Sequence, residues 1–410
     1  MQRREFLEAA GFAAIGITSG CAARKSPIAS APPPPAPASP TAATPARLVP
    51  NLALPYISWD RVIRTTIGLR PHRDSGFVLR PEKFDEKTVI HNYGFGGAGM
   101  SLAWGCGQMA AEMALEHGMP ADGLRRAAVL GCGSPGLTAA RQLQRRGFEV
   151  IIYAASIPPD TTSNMSSAGF TPTAGLVEAD RRTPAWDAQF RRAAELSYRQ
   201  LQLLAGAPGY GVYWMDSYNA TDDPKARPTG GAGGNPGDDL LPDHLNPGRS
   251  REILGPGKHP FPTRYAVRSA ALAIEPSIYL EALVRDFVLF GGKIVIRKFD
   301  TPRDLVLLTE PILINCTGLG SKTLFDDQEL VPIRGQLTHC IPQPEVRYRA
   351  SGRMPGSNVN ASINPRSDGL VSATWRNAAT GRLSPTRTYV GKMSRPRCNS
   401  LGGCARRRAR

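Results

Sequence analysis

Residues 126–153 constrain the fold of this chain more than any other stretch. Arg126-Ala127-Ala128-Val129-Leu130 is an apolar run of strand length, followed by Gly131-Cys132-Gly133-Ser134-Pro135-Gly136, a G-x-G-x-x-G turn. Leu137 to Arg146 then reads as a helix closed by Gly147, and Phe148 to Tyr153 as a second strand. That order is the β-turn-α-β unit of a dinucleotide-binding fold and implies an α/β domain around a parallel sheet. Gly131 suits the tight turn, Gly133 leaves room for a pyrophosphate, and Gly136 lets helix and strand pack closely. One customary element is missing. The second strand of such units ends in an acid that holds the ribose hydroxyls, and Ala154, Ala155 and Ser156 stand there instead. No Arg marks that strand end, so an NADP phosphate has no partner either.

A second glycine turn precedes the first. Val89 to Tyr93 reads as a strand, Gly94-Phe95-Gly96-Gly97-Ala98-Gly99 as a turn, and Met100-Ser101 as a helix start, with Trp104-Gly105-Cys106-Gly107 inside the helix. Small residues let a backbone approach a ligand closely, and the free N–H groups of a helix start point at it. Composition alone leaves two readings open, a cofactor pocket or a glycine-rich packing corner.

The string His91-Asn92-Tyr93-Gly94-x-Gly96-Gly97-x-Gly99, followed by Gly105, resembles the signature of the D-amino-acid oxidase family of FAD enzymes. The resemblance implies that backbone groups of Gly96, Gly97, Ala98, Gly99, Met100 and Ser101 hold the pyrimidine end of the flavin and that Tyr93 borders it. Gly68-Leu69-Arg70-Pro71 resembles the family's Gly-x-Arg-Pro segment, which makes Arg70 the anchor for the substrate carboxylate. A planar guanidinium suits that task because it donates two parallel hydrogen bonds. His72 and Arg73 are expected at the surface or behind the site. Thr161-Thr162-Ser163 resembles the family's loop near the FAD phosphates, and Cys316-Thr317-Gly318, after the strand Ile312–Asn315, resembles the corner re-entering near the cofactor. Arg334-Gly335-Gln336 resembles the segment that leads into the substrate domain's sheet.

Taken together, the resemblance implies an α/β fold with a Rossmann-like FAD-binding domain and a substrate domain built on a mixed or antiparallel sheet. The block that usually closes the family's sequence stands first here, so the order is expected to be a circular permutation. Such a change is tolerated where chain ends lie close. The implied reaction is oxidative deamination of a D-amino acid, with hydride passing from Cα to FAD and reoxidation by O2. No side-chain base is assigned. Three departures stand out: Ala155 for the ribose acid, Phe95 for a frequent second His, and Ser362 near where the family has a tyrosine. Two other readings therefore stay open, an exported amine or amino-acid dehydrogenase that uses a membrane acceptor, and an inactive flavin-binding remnant. A small or neutral substrate is expected, because the sequence places no further basic side chain in the pocket.

The remaining sequence excludes more than it adds. The net charge of +16 is largely a tail effect, since nine Arg or Lys and no acid fall after residue 380, and without those nine 41 basic residues face 34 acidic ones. No aromatic-interleaved basic groove accompanies it, so nucleic acid is not an expected partner. The seven cysteines form no C-x-x-C pair and no cluster with His, which argues against a metal site. Arg3-Arg4-Glu5-Phe6-Leu7 resembles a twin-arginine export signal, and Thr18-Ser19-Gly20-Cys21 a lipoprotein cleavage box, with Thr18 a departure from it. A lipid on Cys21 would be the sole membrane attachment, and the expected location is outside the cytoplasm.

The expected organisation is therefore a signal over 1–24 and a Pro/Ala-rich linker over 25–54. The FAD-binding domain takes 85–182 with 263–336, and the substrate domain 55–84 with 183–262 and 337–378. A basic tail over 379–410, without apolar periodicity, is expected to be disordered. The stretch from about Asp216 to Pro262 reads as a long irregular insertion. Oligomeric state is not legible.

Overall fold

The computed structural model describes residues 52–375 apart from 118–122, 175, 176, 178, 224, 226–237, 246–250 and 354–359. The expected signal, most of the linker and the basic tail lie outside the described residues. All described residues fall in one unit, Val49–Arg410.

In chain order the elements are β1 (Val62–His72), β2 (Val78–Phe84), β3 (Lys87–Tyr93), α1 (Gly99–His117), β4 (Arg126–Leu130), α2 (Ser134–Gln144), β5 (Glu149–Ala154) and α3 (Pro184–Ala205). They continue with β6 (Val212–Thr221), β7 (Glu252–Leu254), β8 (Tyr265–Ile274), α4 (Pro276–Leu289), β9 (Lys293–Ile296), α5 (Arg303–Val306), β10 (Ile312–Asn315) and α6 (Ser321–Leu324). The last strands are β11 (Val331–Cys340), β12 (Tyr348–Arg353), β13 (Asn360–Arg366) and β14 (Gly369–Trp375).

Two sheets carry the fold. A six-stranded sheet runs β2-β3-β10-β4-β5-β9, parallel except for the β2–β3 pair. Its central strands are apolar on both faces, as a sheet covered on both sides requires. Val129, Ile152, Ile90 and Ile314 pack in a cluster with residues of α1, α2 and α4. Val89, Ala128, Leu130 and Leu313 pack on the other side with Leu305 and Leu324.

Helix α1 explains the glycines inside it. A Cβ on Gly105 would overlap Ala193 of α3, and one on Gly107 would lie 2.8 Å from the Ala139 nitrogen of α2. Polar ties fix the same approach, with the Gly105 N–H donating to Ser197 Oγ at 2.7 Å and Thr138 Oγ1 to the Ala103 carbonyl at 2.8 Å. Gly105 and Gly107 therefore serve helix packing.

The second sheet has eight strands in the order β1-β11-β14-β13-β12-β6-β8-β7 and is antiparallel except for the β12–β6 pair. One face buries Tyr218, Ile363, Leu370, Tyr348 and Cys340 against Ile57. The opposite face carries Thr66, Leu337, Ala373, Ser362, Ser351 and Asn219, which lie side by side across six strands. Residues i and i+2 share a face, so Gly68 and Arg70 belong to this second face.

Three details differ from the sequence reading. Strand β2 (78–84) pairs with β3 in the six-stranded sheet, although the expected boundary at 84/85 puts it in the substrate domain. Strands β8 and β11 lie in the eight-stranded sheet, although 263–336 is expected within the FAD-binding domain. The expected irregular insertion contains most of β6, which pairs with β8 from Val212–Ile274 to Thr221–Tyr265. Its polar run, Asp216-Ser217-Tyr218-Asn219, hides a strand in which Val212 and Tyr218 are buried.

Candidate active site

Strands β3, β10 and β4 are mutually parallel and end together at Tyr93, Asn315 and Leu130. Each runs straight into one of the small-residue turns, so Gly94–Gly99, Cys316–Gly318 and Gly131–Gly136 cluster at one sheet edge. Ligands of open α/β sheets bind outside the carboxyl ends of the strands, at this kind of edge.

The middle turn is built by a buried amide. The fully buried Asn315 donates from Nδ2 to His91 Nδ1 at 3.1 Å and to Ser321 Oγ at 3.1 Å, while Oδ1 accepts from the Thr317 N–H at 3.2 Å and Thr317 Oγ1 at 2.8 Å. Thr317 and Gly318 are thereby fixed, Gly318 with φ of 60°. Burial lowers the His91 pKa, partly offset by Glu82, which favours the neutral imidazole that this contact needs.

The nucleotide turn fits a pyrophosphate cradle. Gly131 has φ of 110°, and a Cβ there would lie 2.5 Å from the Cys316 carbonyl. A Cβ on Gly136 would overlap the Gly131 carbonyl. Gly133 is the N-cap of α2 and brings no capping side chain, and the Ser134 N–H donates to Ser163 Oγ at 2.9 Å. The Thr-rich loop thus meets the helix start through Ser163. Thr161 Oγ1 bonds Asn164 Oδ1 at 2.7 Å within that loop, and Thr162 stays exposed on it. The amides and the helix dipole at this point suit a diphosphate.

The start of α1 forms the second wall. The Gly96 N–H donates to the Pro71 carbonyl at 2.8 Å, which ties the turn to the residue after Arg70. Gly97 faces the Ala174 carbonyl, 2.7 Å from where a Cβ would stand, and Ala98 is fully buried. Gly99 and Met100 open α1, and Ser101 Oγ donates to the Gly169 carbonyl at 3.0 Å while accepting the Thr171 N–H at 2.8 Å.

Segment 165–170 then crosses the second face of the eight-stranded sheet. Met165 packs where a Gly68 side chain would be, 2.9 Å from its Cβ position. Arg366 donates to the Ser166 carbonyl at 3.1 Å, and the Phe170 N–H to the Leu272 carbonyl at 2.9 Å.

Arg70 stands on β1 opposite Ile333, with its guanidinium laid over Gly335, where a Cβ would come 3.2 Å from Nε. Burial lowers its pKa, yet an arginine keeps its charge. A desolvated guanidinium beside the Pro71–Gly96 tie is positioned to grip a carboxylate.

Tyr93, expected to border the flavin, is anchored through its hydroxyl. Its hydroxyl donates to Asp327 at 2.8 Å, and Arg73 binds the same carboxylate at 2.8 Å and Glu329 at 2.6 Å. Burial, with Asp327 adding to it, pushes the Tyr93 pKa up, so the phenol holds its proton and positions the turn that follows. Arg73 is largely buried in this cluster, where it braces Gly94, whose Cβ would meet Arg73 Cδ at 2.7 Å.

Sequence reasoning missed the polar residues of β11 to β13 on the same face. His339 accepts or donates at Thr66 Oγ1 across 3.1 Å, and Asp368 is bound by Arg64 at 2.8 Å and Arg366 at 2.7 Å. Their signal is the two-residue alternation of a half-buried strand.

The family model described as FAD dependent oxidoreductase matches residues 19–113 and 126–395. The chain belongs to this FAD-dependent oxidoreductase family. The D-amino acid oxidase of Dugesia ryukyuensis is 26% identical over 252 residues, 60% of this chain and 68% of that protein. The D-amino-acid oxidase of Rubrobacter xylanophilus is 27% identical over 222 residues, 54% of this chain and 60% of that protein. Among solved structures, glycine oxidase from Bacillus cereus ATCC 14579 aligns with a TM-score of 0.40 and 12% identity over 64% of this chain and 75% of that one. As a member of the family the chain is an FAD-dependent oxidoreductase. At Gly131 and Gly136 a side chain would meet main chain, and at Gly133 it would meet Ser163 Oγ at 3.0 Å, so all three positions require glycine.

Proposed function

We propose that this enzyme oxidatively deaminates D-amino acids, using O2 as electron acceptor. The observation that carries the reading is Arg70, a half-buried, partly desolvated guanidinium next to Pro71, whose carbonyl accepts the Gly96 N–H. The relatives that bear the name D-amino-acid oxidase support the same substrate class. Gly131, Gly133, Gly136 and Ser163 would hold the diphosphate of FAD, and Gly96 to Ser101 with Thr317 and Gly318 its ring end. FAD held there would supply the two-electron oxidation of the substrate Cα–N bond, with O2 as final acceptor, so that the products would be H2O2 and an imino acid that water converts to a keto acid and ammonia. Arg70 would fix the α-carboxylate and so orient Cα. Orientation of this kind lowers the barrier without a side-chain base.

The test is Arg70→Ala and Arg70→Lys. Losing a desolvated hydrogen-bonded charge costs about 2–5 kcal/mol, so kcat/KM falls by about 30- to 5,000-fold in the alanine variant and less in the lysine variant, with FAD still bound. Unchanged turnover in Arg70→Ala removes Arg70 from the site. Oxygen uptake without an added dye separates an oxidase from a dehydrogenase with a membrane acceptor.

The rotated block order is read as a circular permutation, consistent with the short path from the end of α1 at His117 to the start of β4 at Arg126. Export by the Arg3-Arg4 signal and tethering through Cys21 complete the proposal. Fatty-acid labelling that persists in Cys21→Ser would refute the tether.

A further inference from the structure

We propose that Arg349 binds the side-chain carboxylate of the substrate, and that the enzyme therefore acts on acidic D-amino acids of the aspartate and glutamate class. This rests on the D-amino-acid reading above and replaces the small or neutral substrate expected from sequence.

Arg349 lies on β12 opposite Ser217 and two residues before Ser351, so it shares the sheet face of Ser351, Ser362, Ala373, Leu337, Thr66 and Arg70. Its guanidinium rests on Gly169, where a Cβ would come within 2.8 Å of Nη1. Gly169 is held in turn by Ser101 at the start of α1. The five-residue segment 165–169 therefore has Arg349 at one end, while Met165 at the other packs on Gly68, two residues from Arg70. Four Cα steps span at most about 14 Å, so this segment links the Gly68 side of β1 to the Arg349 guanidinium.

No hydrogen bond or ion pair reaches Arg349 among the described residues. The acids of this face are otherwise engaged. Asp368 is bound by Arg64 and Arg366, and Glu275 accepts from Tyr213 at 3.0 Å and from both the N–H and hydroxyl of Ser367. Tyr213 stands near Arg349, but it is a phenol whose pKa burial raises, so it supplies no negative charge. Burial lowers the Arg349 pKa, yet the residue keeps part of its surface open. A buried cation without an anion is costly, and a guanidinium answers a carboxylate with two parallel hydrogen bonds. Arg70 takes the α-carboxylate, which leaves the side-chain carboxylate for Arg349.

The experiment compares acid with amide on the purified holoenzyme: D-aspartate against D-asparagine, D-glutamate against D-glutamine, with D-alanine as reference. The proposal expects kcat/KM for the better acid to exceed that for its amide at least tenfold. It expects Arg349→Gln to lower that ratio at least tenfold and Arg349→Lys to restore part of it. It also expects malonate to raise the melting temperature of the cofactor-free protein more than acetate does, and Arg349→Gln to erase the difference. If D-alanine and the amides react as well as the acids, the acidic assignment is overturned and the D-amino-acid reading stands. If Arg349→Gln lowers acid and amide turnover equally, Arg349 serves the cofactor and the assignment is overturned. If no D-amino acid reacts, both readings fall.

Discussion

Gly136→Ala probes the cradle most sharply. The new methyl group would overlap the Gly131 carbonyl, with Cys316 Cβ 3.6 Å away. Gly131 cannot retreat, because its own backbone is held at φ of 110° against the Cys316 carbonyl. The neighbours are main chain on one side and a buried strand corner on the other, so relief comes from α2 moving outward. Overpacking of this kind costs about 1–3 kcal/mol. In the free protein the helix start relaxes and part of that cost disappears. With FAD bound, the start of α2 must return to the diphosphate, so the strain reappears as lost affinity. At about 1.4 kcal/mol per decade, FAD binds roughly 5- to 150-fold more weakly. The assay is fluorescence titration of the apoprotein with FAD. Gly255→Ala is the control, since nothing lies within 4 Å of a Cβ at that position. FAD binding within twofold of the unaltered protein in Gly136→Ala would refute the reasoning and move the cofactor elsewhere.

Two further predictions follow from the same structure. Ala155 is exposed just past β5, where the ribose acid is missing. Ala155→Asp should tighten FAD by about 10- to 100-fold, since a charged hydrogen bond contributes about 1.5–3 kcal/mol, and an unchanged dissociation constant would show that the ribose lies elsewhere. His339 is buried, and burial with Arg366 lowers its pKa from 6.5 to about 4. The unfolded chain therefore binds a proton between these values while the folded protein does not, so stability falls as pH drops from 6.5 to about 4. Urea unfolding at a series of pH values should show a flatter profile over that window in His339→Gln. The same slope in both proteins would clear His339 of the effect.

The parts of the fold legible in sequence were those whose local pattern and packing agree. Val129-Leu130 before Gly131, the helix read over Leu137–Arg146, and α1 after Gly99 each combine an apolar run with a small-residue turn; the strand and α1 stand where the pattern puts them, while α2 starts three residues earlier, at Ser134, and ends at Gln144. The eight-stranded sheet was harder to read because its strands alternate. In β6 and β12, polar residues such as Ser217, Asn219, Arg349 and Ser351 meet their neighbours through pairing across long sequence distances, as Arg349 meets Ser217. Arg349 itself is one of many arginines in the sequence, and only its position against Gly169 distinguishes it. The anchor of Tyr93 was not legible, because Asp327, which occupies its hydroxyl, lies 234 residues further along. Gly105 was legible as part of a motif, while its physical reason, the approach of Ala193, required the packed helices.

The most direct test of the account is anaerobic mixing of the FAD-loaded protein with paired D- and L-amino acids while the flavin absorbance is followed. The account predicts bleaching by D-isomers, fastest with D-aspartate or D-glutamate, and recovery of colour with H2O2 release when O2 is admitted. A flavin that stays oxidised with every D-amino acid, or that L-isomers bleach equally well, would contradict it.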